Sequence, residues 1–126
     1  MAAARYFFAG VKLLLQGGSD VAIACAHLAA QSLECVLKAY LSKVGIPVID
    51  LKNRYAHDLQ SLCVEAVAKG LTESPQPPDW CVILNQTHNK PYHLRYPLDI
   101  NGFSIPAFSV VVPALSRPID QVGSIV

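Results

Sequence analysis

Hydrophobic and polar positions along the chain alternate with a helical rather than a strand period over most of the sequence. Residues from about Ala3 to Gln16 predict a first helix, with Phe7, Val11 and Leu14 on one line and Tyr6, Gly10 and Leu13 beside it. Gly17 and Gly18 stop it, and Ser19 or Asp20 can cap a second helix that runs to about Val44, ahead of Gly45 and Pro47. This second helix is the longest predicted element. Val21, Ala24, Leu28, Cys35 and Ala39 cover one side of it and Ala26, Leu33, Leu37, Tyr40 and Val44 the other, which marks it as central. After an irregular stretch from Ile46 to about Arg54, a third helix starts near His57 or Asp58 and carries Leu59, Leu62, Cys63 and Ala66 inward until Gly70. Pro75, Pro77 and Pro78 make "ESPQPPDW" a loop. A fourth helix begins around Asp79, with Trp80, Ile83, Leu84 and Thr87 at core spacing, and Pro91 ends or kinks it.

Four helices joined by short connections predict an all-α, up-and-down bundle of four to five helices over residues 1–97. The remainder, 98–126, reads as an extension packing on the same domain. Within it "LDINGFSI" carries a hairpin signal around Asn101-Gly102, and Pro113 to Val126 either forms a last short helix or stays loose.

One polar line interrupts the apolar second helix. His27, Gln31, Glu34 and Lys38 follow each other at steps of four, three and four residues, so they share one narrow stripe. Two readings stand. A solvated stripe makes Glu34 and Lys38 an ordinary i,i+4 pair worth ~0.3 kcal/mol, whereas a covered stripe requires each charge to find a partner.

Composition narrows the function classes. With 126 residues the chain fits one domain, and 52% hydrophobic against 15% charged residues favours extensive burial or self-association. A net charge of +1 excludes the broad basic footprint of a protein that grips long nucleic acid, while leaving a nucleotide or short RNA open. Cys25, Cys35, Cys63 and Cys81 form no C-x-x-C pair, so they read as reduced core cysteines. No metal-ligand spacing, dinucleotide motif or phosphate-cradling loop is present, so neither a metal nor a cofactor is expected. The N-terminus, with Arg5 before an apolar run, resembles a secretion signal, but Lys12 breaks the run and the helical pattern resumes at Val21. A cytoplasmic protein is expected, and no apolar run approaches the ~18 residues that span a bilayer.

The segments "YFFAG", "AAQSLECVLKAYL", "HDLQSL" and "YHLRYP", in that order over about Tyr6 to Pro97, resemble the HEPN family, named for nucleotide binding in higher eukaryotes and prokaryotes. The resemblance implies a helical bundle, usually a homodimer, that is either a metal-independent RNase or a non-catalytic nucleotide- or RNA-binding module. It also implies a nucleotidyltransferase partner in a toxin–antitoxin or defence system. Glu34 and Lys38 belong to the motif so implied.

The RNase branch of that family carries an Arg followed after four to six residues by a His. Here Arg54 precedes His57 by too few residues, and His88 and His93 come before Arg95. The expected role is therefore binding without catalysis by this chain alone. The alternatives are an RNase with a rearranged site of His88, His93 and Arg95, and a purely structural dimerisation module.

The expected ligand-binding residues are His88, Tyr92 and Arg95, supported by Glu34 and Lys38. If the fourth helix persists past Pro91, His88, Tyr92 and Arg95 fall at i, i+4 and i+7 and offer an imidazole, a stacking phenol and a phosphate-binding guanidinium. Asn85 and Asn89 add hydrogen-bonding groups. His57-Asp58 reads as a helix start, with Asp58 as the cap.

Overall fold

A computed structural model of the chain describes residues 1–17, 22–71, 76–89 and 107–125. Six helices and no strand occur among them: α1 (Ala2–Leu14), α2 (Ala22–Lys43), α3 (Val48–Asp50), α4 (Leu59–Ala68), α5 (Asp79–His88) and α6 (Phe108–Gly123). The all-α bundle is as expected. The segment expected to be irregular is helical, because α3 continues directly into a π-helical turn over Leu51–Tyr55 that buries Leu51 and Tyr55. The expected cap at Ser19 or Asp20 and the hairpin signal at 98–105 lie outside the described residues.

Helix α2 is the axis of the bundle and packs against α1, α4, α5 and α6. Its buried residues include Ala26, Ala29, Ala30, Leu33, Val36, Leu37, Tyr40 and Leu41, which surround most of its circumference. Small residues at the seam, Gly10 on α1 and Ser32 on α2, let the two helices approach closely. A Cβ added at Gly10 of α1 would come within 3.0 Å of Leu28 Cδ1, and Ser32 Oγ donates to the Ala4 carbonyl at 2.7 Å.

Two helices present a different line to the core than their apolar spacing suggests. In α1 the buried residues are Ala4, Phe8 and Val11, while Tyr6 and Leu13 are 78% and 71% exposed. In α5 the buried face is Cys81, Leu84, Asn85 and His88, with Trp80 and Ile83 only half-buried. A helix apolar on two sides is oriented by its neighbours, and on α5 two polar side chains have partners waiting in the core.

The tail is part of that core. Helix α6 runs through Pro113 and Pro118 and buries Val111, Leu115, Pro118, Ile119 and Val122, a single i, i+4, i+7, i+8, i+11 stripe laid on α1 and α2. A proline inside a helix costs roughly 3 kcal/mol. Four fully buried Val, Leu or Ile side chains, each contributing ~1.5–3 kcal/mol, outweigh two such costs. The helix is thus longer than the short element expected from Pro113 onward. No helix among the described residues is long and apolar enough to cross a membrane.

Leu115→Ala is expected to lower unfolding stability by about 2–5 kcal/mol, and Val110→Ala, on the exposed face of the same helix, by less than about 0.5 kcal/mol. Urea unfolding of the two variants checks whether α6 is integral to the bundle.

Candidate functional site

The stripe on α2 is covered. Glu34 is 7% exposed near the middle of the helix, while His27, Gln31 and Lys38 are half-buried. A carboxylate removed from water needs donors, and three converge on it. His57 Nδ1 lies 2.7 Å and His88 Nε2 2.9 Å from the same oxygen, Oε1. Lys38 Nζ stands 3.5 Å from the other, Oε2. The two imidazole rings meet edge to face, with centroids 5.9 Å apart and planes at 85°.

Each donor arrives by a distinct local device. Lys38 follows Glu34 by one turn of the same helix. His57 is delivered by the turn that closes the π-helical segment: Asp58 N donates to Tyr55 O at 2.9 Å, and Ala56 between them has φ 47° and ψ −112°. Those angles belong to the first corner of a type II′ turn, a position that favours glycine. An alanine there is strained by roughly 1–3 kcal/mol, and both strain of this kind and π-helical turns gather at functional sites.

Asp58 then caps α4, accepting from Ser61 N at 3.3 Å and Ser61 Oγ at 2.7 Å. The capping role expected of Asp58 is present, but His57 does more than precede the helix. Burial raises the Asp58 carboxyl, yet its bonds from Ser61 and Asn85 outweigh this and hold it below its ordinary value.

His88 is the last residue of α5, and Asn85 one turn earlier fixes where that helix sits. The Asn85 side chain accepts from Leu59 N at 2.8 Å and donates to Asp58 Oδ1 at 2.9 Å and to Gln60 Oε1 at 3.1 Å. Asn85 therefore ties α5 to the start of α4 and acts as a positioning residue rather than a ligand group. His88 is 1% exposed, and its Nδ1 has no hydrogen-bond partner among the described residues.

The helix ends at His88, and Asn89 is already extended at φ −76° and ψ 175°. The expected line of His88, Tyr92 and Arg95 rested on helical geometry continuing past Pro91. Tyr92, His93 and Arg95 lie outside the described residues. His88 joins Glu34 and Lys38, and His57, just before α4, meets the same carboxylate. No sequence spacing signals this meeting, because the partners lie 23 and 54 residues from Glu34.

Electrostatically the cluster is a buried anion held by surrounding donors. Burial by itself raises the Glu34 carboxyl, but hydrogen bonds from His88 and His57 and the charge of Lys38 outweigh it and hold the group down at about 2. One side of the cluster is open. His57 and Lys38 side chains are 28% and 24% exposed, and with Val48, Leu51, Lys52 and Ala56 they line a cleft at the surface. The arrangement can exchange protons at His57, present cationic groups to an anion, or offer two imidazoles and a carboxylate to a cation. The donor atoms of Glu34, His57 and His88 all lie within 4.8 Å of one another.

Two variants test this account. Ala56→Gly is expected to raise stability by about 1 kcal/mol in urea unfolding, since glycine adopts the turn without strain. Glu34, ordinarily near 4.5 and held at about 2 in the fold, stabilises the folded state fully above about pH 4.5. That contribution, about 3 kcal/mol, is lost as the pH falls towards 2. The stability gap between wild type and Glu34→Gln is expected to be widest above about pH 5 and to close on acidification, measured by urea unfolding at a series of pH values in the presence of a chelator.

Comparison with models of known protein families, with curated proteins and with solved structures finds no match to this chain.

Proposed function

We propose that this chain is a HEPN-like binding protein that takes a phosphate-bearing ligand, a nucleotide or a short RNA, in the cleft beside Glu34, His57 and His88. The observation that carries the reading is the meeting of two separate motif segments. Glu34 and Lys38 come from "AAQSLECVLKAYL" and His57 from "HDLQSL", and their side chains converge at 2.7 and 3.5 Å. Two of the segments that carry the resemblance thus contribute to the polar cluster, and His88, outside them, completes it.

The cleft suits a phosphate. Lys38 and Lys52 line it, and Glu34 balances one of those charges from below, which leaves the rim with a surplus of positive charge and His57 as a further hydrogen-bonding group. Tyr92 and Arg95, within seven residues of His88 in the chain, are proposed to add the stacking face and the guanidinium. Binding is favoured over RNA cleavage by the burial of His88, whose Nε2 is bonded to Glu34, so that an acid–base role would fall to His57 alone. The proposed homodimer is supported by the unpartnered Tyr6 and Leu13, which share one exposed side of α1. The nucleotidyltransferase partner and the cytoplasmic setting follow from the resemblance and from the sequence respectively.

Thermal unfolding with a panel of nucleoside mono-, di- and triphosphates and a short RNA tests the reading. A ligand at a hundred times its Kd adds about 2.7 kcal/mol of stability. Lys38→Ala, Lys52→Ala and Arg95→Ala are expected to weaken or abolish the shift, and wild-type protein that no member of the panel stabilises would overturn the proposal.

A further inference from the structure

The geometry points to a divalent transition-metal site made by Glu34, His57 and His88, a centre for which the sequence carries no spacing motif. Two histidines and one carboxylate, contributed by α2, by the turn after the π-helical segment and by the end of α5, bring three donor atoms within 4.8 Å of one another. Around an ion with bonds of ~2.0–2.2 Å, neighbouring ligand atoms stand roughly 3–3.4 Å apart. The separations from Glu34 Oε1, 2.7 Å to His57 Nδ1 and 2.9 Å to His88 Nε2, are already within a few tenths of an ångström of that spacing. All three atoms fall within 4.8 Å of one another, against the roughly 3.4 Å between ligand atoms around a tetrahedral ion. Closing the site thus draws the donor atoms together by no more than about 1.4 Å.

The surroundings suit an ion as well as the donors do. Lys38 holds the second oxygen of Glu34, Oε2, at 3.5 Å, which orients the carboxylate and leaves Oε1 for the metal. Asn85 fixes the end of α5 against the start of α4 and so holds His88 in place. His88 donates from Nε2 to Glu34 Oε1, and no described group bonds its Nδ1. With its proton on Nδ1, the same ring offers Nε2 as a lone pair to a cation.

Glu34 and His88 form the buried wall, and the half-exposed His57 leaves an approach from the cleft lined by Lys38 and Lys52. A nitrogen-rich set with one carboxylate selects zinc, cobalt or another first-row ion over calcium or magnesium, which prefer all-oxygen ligands. Three protein ligands leave a position for water or a phosphate oxygen, as in zinc sites that are open to a substrate.

The inference does not depend on the proposed nucleotide, and its test uses metal alone. Chelator-treated full-length protein is titrated with Co2+, followed by its visible absorption, and with Zn2+, followed by calorimetry and by thermal unfolding. Wild type is compared with His57→Ala, whose side chain is part-exposed, and with the near-isosteric Glu34→Gln, each shown to be folded by circular dichroism. The expected result is one ion per chain, stabilisation that a chelator reverses, and affinity at least about tenfold weaker in both variants. Folded wild type that takes up neither ion at micromolar concentration overturns the proposal. Binding that is unchanged in both variants also overturns it, because the ion would then be held elsewhere, for instance by the cysteines.

Discussion

A carboxylate buried in the middle of the central helix sets the main constraint on this structure. Glu34 is 7% exposed and lies on α2, which four other helices cover. An uncompensated charge in that position costs several kcal/mol, so the bundle can close only in an arrangement that brings donors to both oxygens. Lys38 satisfies one oxygen from the same helix, and two histidines satisfy the other from segments far away in the chain. The path of the backbone between α2 and α4 and the rotation of α5 both follow from that requirement.

The costs taken on elsewhere are consistent with it. The π-helical turn and the strained Ala56 are unfavourable locally, and together they turn the chain so that His57 faces Glu34. On α5 the polar Asn85 and His88 face inward while Trp80 and Ile83 are left half-buried, because Asn85 satisfies the first backbone N–H of α4 and His88 satisfies the carboxylate. The remaining helices supply the apolar burial that offsets these costs. Gly10 of α1 admits Leu28 of α2 at close range, and α6, despite two prolines, closes the bundle with a continuous apolar stripe. Tyr40 adds a link of the same kind, its hydroxyl donating to the Lys69 carbonyl at 2.8 Å where α4 ends.

The cluster combines a rigid, water-poor wall with an accessible rim. Glu34 and His88 are buried and hydrogen-bonded to each other, whereas His57, Lys38 and Lys52 border the cleft. The buried half is packed into the bundle, and the exposed half borders the surface cleft. This division explains how a chain with a net charge of +1 and few charged residues can concentrate cationic groups in one place. The carboxylate that they surround lies beneath the surface.

The sequence alone determined the local elements and the existence of a polar stripe on α2, and left open whether that stripe is covered. The 3.6-residue pattern of α1, α2, α4 and α5, the inward set Leu59, Leu62, Cys63 and Ala66, and the Asp58 cap depend on neighbours within a few residues, where spacing carries the information. Only the tertiary structure decided which side of α1 and α5 faces inward, that the segment after Pro47 is helical, and that α6 belongs to the core. It alone united Glu34, His57 and His88, which the chain separates by 23 and 54 residues. The physical reason is that satisfying a buried charge is a condition on three-dimensional packing. Any donor that can reach will serve, so the identity of the partners is settled by how the helices pack and leaves no periodic trace along the chain.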